Sequence, residues 1–438
     1  MSEAGLPLAM AAVALAGIFA GYRVAMVLAG SAALFVLVSD LPPAFFRLLV
    51  SRVYANALTN WLLVAIPMFI LMGLILEKSG VAENALRGAQ AALGGTAAGM
   101  GVSVLLVGVL LAASSGVVGA SVVLLTLLAL PRLAEVGYDL PTASGLVAAS
   151  GTLAILLPPS IMLIVLGDQL QAPVPAMFAG AIGPAFLLVL LYGLWVAWRA
   201  RGLPRGPSGG AGLLVGLALA LRDALPLLGL VVAVLGSIIA GVATPTEASG
   251  LGAVGAMLIA AAYRRLSLRL LLDAARDTVA ATSMVLLVVV GATCFSAVFK
   301  GIGGDALIAD ALGGLGGGPW TVLVVIMAAL FVLGFVLDWL EITLILVPIV
   351  APVVAGLDFG NGLEGQALMV WFGVLVAVNL QTSFLTPPFG FALFYLRGAS
   401  GGRVPTPVIY RGVVPFIALQ LLALGVLMAF PWLVTGAP

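Results

Sequence analysis

The chain has 438 residues, of which 63% are hydrophobic and 8% are charged, with a formal net charge of +1. Soluble domains carry about a quarter charged residues, so the composition excludes a soluble enzyme or a nucleic-acid-binding protein. Together with a mean hydropathy of +1.28, it indicates an integral protein of a lipid bilayer.

Two missing features narrow the function further. The sequence contains no histidine, the usual proton relay and catalytic base, so proton coupling would depend on carboxylates and a histidine-dependent intramembrane protease is excluded. It also contains no G-x-x-x-x-G-K-[S/T] motif, so ATP-driven transport by this chain is not expected. The single cysteine, Cys294, lies in an apolar run and is interpreted as a small buried hydrophobe.

Besides simple spanning helices, the apolar stretches predict two re-entrant hairpins and two broken helices. Stretches 97–131 and 319–355 are each interrupted by a polar cluster and predict re-entrant hairpins, with tips at 113–116 and 338–341. The amphipathic segment 265–276 predicts an interfacial arm, and the Gly/Pro-rich segment 202–210 predicts a flexible linker. Simple spanning helices are predicted at about 5–20, 24–39, 58–77, 176–198, 224–242, 244–263, 279–299 and 412–434.

Two further apolar segments, 140–170 and 366–396, are predicted to be broken helices because each contains a Pro-Pro pair. A proline pair removes two backbone donors and opens the helix. In lipid this is tolerated only where the freed groups are buried in protein or line a cavity. Matched interruptions in the two halves of a membrane protein point to a transporter's binding site.

Basic residues give the topology. If both hairpins are re-entrant and both broken segments cross the membrane, one side collects 15 of the 18 basic residues and the other keeps Arg47, Arg52 and Lys300. The positive-inside rule places the larger set in the cytoplasm, so both termini are predicted to face outward. The hairpins then enter from opposite sides, which predicts an inverted repeat.

Polar residues cluster at the tips and breaks. Ser114, Ser115 and Gly116 at the first tip could serve packing or function. Each unsatisfied polar group in an apolar segment costs several kcal/mol, so the cluster at the second break predicts either a hydrogen-bond network or a cation site. Sodium suits neutral oxygens and opened helix ends, and we favour the cation site. The second cluster comprises Asn379, Gln381, Thr382, Ser383 and Thr386.

Four acids need separate interpretations. Asp338 and Glu341 lie mid-stretch, where a carboxylate costs about 3 kcal/mol, and Asp338, at the tip, is the better functional candidate. Glu247 is predicted to belong to a helix cap, and Asp168 is expected to be solvated at the outer surface. No lysine or arginine lies in the tips or broken helices, so an anionic substrate would be held by helix N-termini, hydroxyls and bound cations. The candidate substrate residues are Ser115, Gly116, Ser160, Ser383, Thr386 and Phe389.

Four motifs together resemble the large membrane subunit of TRAP (tripartite ATP-independent periplasmic) transporters. They are IPMFILMG at 66–73, SGTL and LPPSI within 150–161, TPTEA at 244–248 and LTPPFG at 385–390. They occur in the family's order and cover nearly the whole chain. The variants ASSGVVG at 113–119, LGDQ at 166–169 and LDWLEI at 337–342 resemble the branch named for mannitol, chloroaromatic compounds or 2-oxo acids.

The resemblance implies an all-α, inverted-repeat, elevator-type fold like that of the ion transporter superfamily. It implies a sodium-driven importer of an organic acid in a bacterial inner membrane, not an enzyme, with no cofactor besides coupling sodium ions. The implied partners are a small four-helix membrane subunit, expected on a separate chain, and a periplasmic substrate-binding protein. Family sodium sites lie where each tip meets its broken helix, which implies as ligands Ser114, Ser115, Ser150, Gly151 and Thr152 in one half and Asp338, Asn379, Gln381 and Thr382 in the other.

This interpretation divides the chain by role. Transport elements are predicted at 97–170 and 319–396, and scaffold and arm helices at 1–96 and 171–299, with a C-terminal helix in 397–438. Three alternatives stay open: a standalone sodium- or proton-coupled carrier of organic anions, an intramembrane enzyme with Ser115 as nucleophile and Asp338 as base, and a structural subunit. The absent histidine argues against the enzyme, and the cost of buried polar clusters argues against the structural subunit.

Overall fold

The structure is a computed structural model that describes residues 5–93, 96–203, 213–360 and 362–436. Within these ranges all regular structure is helical, and seven helices are long and apolar enough to cross a membrane. Most of the predicted linker, from residue 204, lies outside the described residues. The helices of the first half are α1 (Gly5–Phe19), α2 (Val24–Val38), α3 (Phe45–Val53), α4 (Ala65–Lys78), α5 (Val81–Leu93), α6 (Ala97–Ser115), α7 (Val118–Leu128), α8 (Leu130–Glu135), α9 (Leu140–Thr152) and α10 (Ile161–Leu170).

The second half repeats the sequence of a hairpin followed by an interrupted helix. A π-helical turn, Ile342–Leu346, interrupts its hairpin, and a similar turn, Tyr54–Leu58, follows α3. The remaining helices are α11 (Val174–Arg199), α12 (Leu213–Ile239), α13 (Pro245–Ala262), α14 (Leu268–Gly301), α15 (Gly304–Gly313), α16 (Pro319–Leu333), α17 (Trp339–Glu341), α18 (Val347–Ala355), α19 (Gly365–Leu385), α20 (Phe391–Ala399), α21 (Thr406–Ala429) and α22 (Trp432–Thr435).

Both hairpin tips form where they are predicted. Helix α6 stops at Gly116, whose φ of 60° is the left-handed conformation that commonly ends a helix, and α7 returns from Val118. In the second hairpin α16 ends at Leu333. Asp338 then caps α17, with its carboxylate accepting a hydrogen bond of 2.8 Å from the backbone N–H of Trp339.

Both breaks also form at the proline pairs. Helix α9 gives way to a short 3₁₀ turn, Leu153–Ile155, before α10. Helix α19 ends at Leu385 and α20 begins at Phe391. The Pro158-Pro159 and Pro387-Pro388 peptide bonds are both cis, so the two breaks share the same backbone feature.

The helices that lead into the two breaks, α9 and α19, are deeply enclosed. Every residue from Thr142 to Leu156 is buried, as is every residue from Val370 to Leu385. Helix α9 contacts α6, α7, α20 and α21, and α19 contacts α10, α11, α16 and α21. Helices farther out expose large apolar side chains, such as Phe186 at 74% and Leu258 at 66%. The first break, from Pro158 to Ser160, is buried as well, whereas Pro388 and Phe389 at the second break are exposed.

Away from the breaks, the structure differs from the sequence prediction in α14, α5 and α15 and agrees with it at the start of α13. The predicted arm 265–276 and span 279–299 are one helix of 34 residues, α14, because no glycine or proline lies between Leu268 and Val290. Helices α5 and α15 were not predicted, since both are too polar to register as spans. At the start of α13, Thr244 and Glu247 form a capping box, which confirms the capping interpretation of Glu247.

Ion pairs join helix ends on the side predicted to be cytoplasmic. Lys78 lies 2.8 Å from Asp277, and Arg199 lies 2.9 Å from Asp139. Partial burial raises the pKa of Asp139, but hydrogen bonds from Thr142 and Arg199 outweigh this effect and hold that pKa below its usual value. Asp139 therefore stays ionised at the start of α9.

Helices α9 and α21 cross with their backbones in contact. A Cβ added at Gly145 would lie 2.0 Å from the Gly412 carbonyl oxygen, and one added at Gly412 would lie 2.0 Å from the Pro141 carbonyl oxygen. Because the obstructing atoms are backbone, no side-chain adjustment can make room. Glycine is therefore required on both sides of this crossing.

We expect Gly412→Val to destabilise the protein strongly. Overpacking costs about 3 kcal/mol or more when the backbone must shift. Gly425→Val is the matched control, because Gly425 lies on the same helix and has open space around it. Thermal unfolding followed by size-exclusion chromatography in detergent measures the difference. Equal midpoints for the two variants would contradict the close crossing.

Candidate functional site

Each hairpin tip lies against the break of its own repeat. A Cβ on Gly116 would lie 3.7 Å from the Pro159 carbonyl oxygen and 3.9 Å from a side-chain carbon of Ile161. In the second repeat, a Cβ on Gly334 would lie 2.4 Å from the Ser383 hydroxyl oxygen. The structure therefore brings the first predicted tip to its break, and it brings the end of α16, four residues before the second predicted tip, to Ser383 of the second polar cluster.

In the first break, Ser150 has an unused hydroxyl. Its residue is fully buried, and its Oγ has no hydrogen-bond partner among the described residues. The side chain packs where α6 carries Gly108, since a Cβ there would lie 2.5 Å from the Ser150 Cβ. The neighbouring Gly151 is as closely packed, because its Cβ would lie 3.1 Å from the Val122 backbone nitrogen. Thr152 instead donates to its own helix, at the Ala149 carbonyl.

In the second break, Gln381 has the unused groups. It is fully buried, and neither its amide nitrogen nor its amide oxygen has a partner in the described part of the chain. Asn379 donates a hydrogen bond of 2.8 Å to the Met327 carbonyl on α16. Thr382 and Ser383 donate to carbonyls one turn back in α19, at 2.9 and 2.7 Å.

Thr343 is a further residue of this kind that the sequence interpretation missed. It is fully buried in the π-helical turn Ile342–Leu346, and its hydroxyl has no partner within the described ranges. Single π-helical turns occur frequently at functional sites. The signal that could have found it is a lone hydroxyl two residues after Glu341 in an otherwise apolar run.

These unpartnered atoms fit a cation. An unsatisfied buried polar group costs about 1–3 kcal/mol, and native structures keep few of them. Ser150, Gln381 and Thr343 each present a neutral oxygen in an enclosed setting, the ligand type that opened helices in transporters offer to sodium. These oxygens are the available ligands for the predicted sodium sites, which stay a prediction.

The half-helices that follow the proline pairs both start without a side-chain cap, the α10 start being buried and the α20 start partly exposed. Helix α10 begins at Ile161 and α20 at Phe391, as predicted, and neither start has a side-chain cap. The Ser160 hydroxyl donates to the Ile155 carbonyl instead of capping α10. Uncapped backbone amides with the positive end of the helix dipole form an anion site.

The other predicted site residues are less available. The Ser114 hydroxyl donates to the Leu111 carbonyl, and the Thr386 hydroxyl donates to the Thr382 carbonyl. Phe389 is 50% exposed. The side chain of Ser115 lies outside the described residues, so its predicted role is not placed.

The two acids of the second hairpin behave differently. Asp338 is half-buried and is engaged as the cap of α17. Glu341 is 4% exposed, and one of its carboxylate oxygens has no partner among the described residues. Glu341 also borders an apolar cavity of about 570 Å³ that reaches Arg23. Asp338 thus caps the helix at the tip, whereas Glu341 has a carboxylate oxygen that can still accept a hydrogen bond.

Comparison with known proteins gives consistent matches. The family described as "Tripartite ATP-independent periplasmic transporter, DctM component" matches residues 9–433. The C4-dicarboxylate TRAP transporter large permease protein DctM of Pseudomonas aeruginosa is 30% identical over 379 residues, 85% of each chain. The sialic acid TRAP transporter permease protein SiaT of Haemophilus influenzae is 28% identical over 387 residues, 87% of this chain and 60% of that protein.

One solved structure supports the fold. The crystal structure of the Alcanivorax borkumensis YdaH transporter, described as having an unusual topology, superimposes with a TM-score of 0.56. The match covers 94% of this chain and 98% of that one, at 14% sequence identity. At this identity the likeness concerns the fold alone.

The different partners of Ser150 and Asn379 predict opposite effects on stability. In sodium-free potassium buffer, we expect Ser150→Ala to leave the thermal midpoint unchanged or raise it, because no hydrogen bond is lost. Asn379→Ala should lower the midpoint, since it removes the bond to Met327, worth about 1 kcal/mol or more. Thermal unfolding of the purified variants tests this. A Ser150→Ala midpoint as low as that of Asn379→Ala would contradict the geometry.

Proposed function

The chain belongs to the DctM family of TRAP transporter components, and we propose that it is the large permease subunit of a sodium-coupled importer of an organic acid. Members of this family are transporters and not enzymes, which removes the enzyme alternative. The observation that supports sodium coupling is the pair of enclosed, unpartnered side chains Ser150 and Gln381, one in each break.

Coupling follows from what each ligand needs. A sodium ion at Ser150 or Gln381 supplies the missing partner and places positive charge in a site that has no lysine or arginine. The carboxylate of the substrate then binds the α10 and α20 amides in the field of that charge. Each ligand thus raises the affinity for the other, so a sodium gradient can drive uptake without ATP.

We assign the moving part to the two hairpin-plus-broken-helix units, 97–170 and 319–396, sliding against 1–96 and 171–299 in elevator fashion. The contacts of Gly116 with Pro159 and of Gly334 with Ser383 support this division, because each hairpin packs against the broken helix of its own repeat. The distribution of basic residues supports a bacterial inner membrane orientation with both termini in the periplasm.

The proposed partners are a small four-helix membrane subunit and a periplasmic substrate-binding protein. The word "tripartite" in the family description supports three components. The relatives named for a C4-dicarboxylate and for sialic acid support an acid as substrate. The ASSGVVG and LDWLEI variants at 113–119 and 337–342 suggest the mannitol, chloroaromatic or 2-oxo acid branch within that class.

The experiment is uptake into proteoliposomes that contain this chain and its small subunit, with the binding protein and its ligand outside. We expect uptake with an inward sodium gradient and none with an equal potassium or proton gradient. Proton-driven uptake insensitive to sodium would overturn the cation sites and direct attention to Glu341. Uptake without the binding protein would instead establish a standalone carrier.

Variants locate the sodium sites. Ser150→Ala and Gln381→Leu should each lower sodium-driven uptake at least tenfold and abolish the rise in thermal midpoint that sodium gives the wild-type protein. Ser31→Ala is the matched control, because Ser31 is also buried but lies on α2, where its hydroxyl already donates to the Leu28 carbonyl. Equal sodium responses in all three variants would show that the breaks do not bind the ion.

A further inference from the structure

A cavity of about 110 Å³ lies where three elements meet near the end of the first broken helix. One wall carries Arg52 from α3 and Asn56 from the π-helical turn that follows it. A second wall carries Ser296 and Lys300 from α14. The third carries Asp168 and its neighbours at the end of α10. We call this space the outer cavity, since it lies on the side predicted to face outward.

Two cations face the outer cavity without an acidic partner. Among the described residues, no carboxylate oxygen lies within 4.0 Å of the charged nitrogens of Arg52 or Lys300. Lys300 donates one hydrogen bond of 3.2 Å, to the Pro348 carbonyl, and two of its donors stay free. Within the described ranges neither cation is therefore ion-paired, although Asp305 lines a neighbouring cavity together with Lys300.

Among the described residues, the one acid that borders the cavity already accepts two hydrogen bonds. Asp168 accepts hydrogen bonds from the Asn60 amide at 3.1 Å and from the Gln169 amide at 2.9 Å, one on each carboxylate oxygen. These amides fix the carboxylate at the wall. This finding corrects the expectation that Asp168 is simply solvated. Two cations against one tethered acid leave a net positive cavity.

The position of these cations in the chain strengthens the case. Only three of the 18 basic residues are predicted on the outer side, and two of these three line the same cavity. Basic residues on the translocated side oppose the usual insertion bias. Their convergence on one concave surface therefore points to binding and not to topology.

We propose that the outer cavity is a receiving site for the carboxylate of the organic acid before it reaches the breaks. The guanidinium of Arg52 can bind a carboxylate through two parallel hydrogen bonds, and the Lys300 ammonium adds a point charge. The hydroxyls of Thr293 and Ser296 and the amide of Asn56 complete a polar wall for a small acid. This proposal rests on the proposed function.

The surroundings connect the outer cavity to the breaks. Val165 and Asp168 belong to α10, whose N-terminus presents the free amides, and Leu344 follows Thr343 directly. A carboxylate bound at Arg52 and Lys300 would thus lie against the elements that carry the next site. A volume of about 110 Å³ exceeds the roughly 30 Å³ share of one water molecule and suits a small anion better than a protein loop.

The test uses initial uptake rates at increasing concentrations of substrate-loaded binding protein. We expect Arg52→Gln and Lys300→Gln each to lower kcat/KM at least tenfold. Arg47→Gln is the matched control, because Arg47 is the third outer basic residue and does not line the cavity; its change should stay within twofold. If all three variants behave alike, the receiving site is wrong.

A charge-restoration experiment separates charge from structure. In a Cys294→Ala background, Lys300→Cys is treated from outside with a membrane-impermeant thiosulfonate that adds either an ammonium or a sulfonate. We expect the ammonium to restore uptake and the sulfonate to leave it low. Equal effects of both reagents, or no reaction from outside, would overturn the proposal.

Two further readouts keep the failures distinct. If wild-type proteoliposomes show no sodium-driven uptake, the proposed function itself fails. If the wild type transports but Arg52→Gln and Lys300→Gln weaken the binding of empty and loaded binding protein equally, the cavity is a docking surface for that protein. That result would overturn the carboxylate site while leaving the transporter assignment intact.

Discussion

Inside the hydrocarbon core of a bilayer no water is available to satisfy a backbone amide or carbonyl, so every interruption of a helix must be buried in protein or line a water-filled cavity. The two proline pairs create such interruptions at Pro158-Pro159 and Pro387-Pro388. The buried stretches that precede them, Thr142–Leu156 and Val370–Leu385, show the result. The first hairpin tip covers the first break, where Gly116 lies against Pro159, whereas the second break leaves Pro388 and Phe389 exposed. The long continuous helices need no such cover and carry the large exposed apolar side chains, such as Phe186 and Leu258.

Within this enclosure the hydroxyl and amide groups divide into two sets. The hydroxyls of Thr152, Thr382 and Ser383 donate hydrogen bonds to carbonyls of their own helices. This local arrangement needs no ligand. The side-chain polar atoms of Ser150, Gln381 and Thr343 have no hydrogen-bond partner among the described residues. The clusters are thus not uniform, and only a few positions keep unused bonding capacity.

The sequence predicted the breaks and the tips because proline and glycine act locally. Their effect on the chain does not depend on tertiary neighbours, and the break at Pro387 and the turn at Gly116 follow directly. The same reasoning failed for Thr343, because a lone threonine in an apolar run shows nothing of its π-helical setting. It also failed for some helix ends, such as the boundary predicted between the arm 265–276 and the span 279–299, which are one helix.

The outer cavity could not have been predicted for a related reason. Arg52, Asp168 and Lys300 are far apart in the chain, and only the folded structure brings them to one space. The sequence placed Arg52 and Lys300 on the same side of the membrane but gave no distance between them. The continuity of α14 was missed because a change from amphipathic to apolar pattern does not end a helix.

The glycine crossing between α9 and α21 has a mechanical consequence. Backbones that touch at Gly145 and Gly412 cannot slide past one another without separating the helices. Helix α21 is also tied to α19, where the Trp371 indole donates a hydrogen bond to the Leu427 carbonyl. If the broken helices move, α21 is therefore carried along as a rigid strut. The C-terminal helix then belongs with the moving mass, and the sliding boundary must run along its other face.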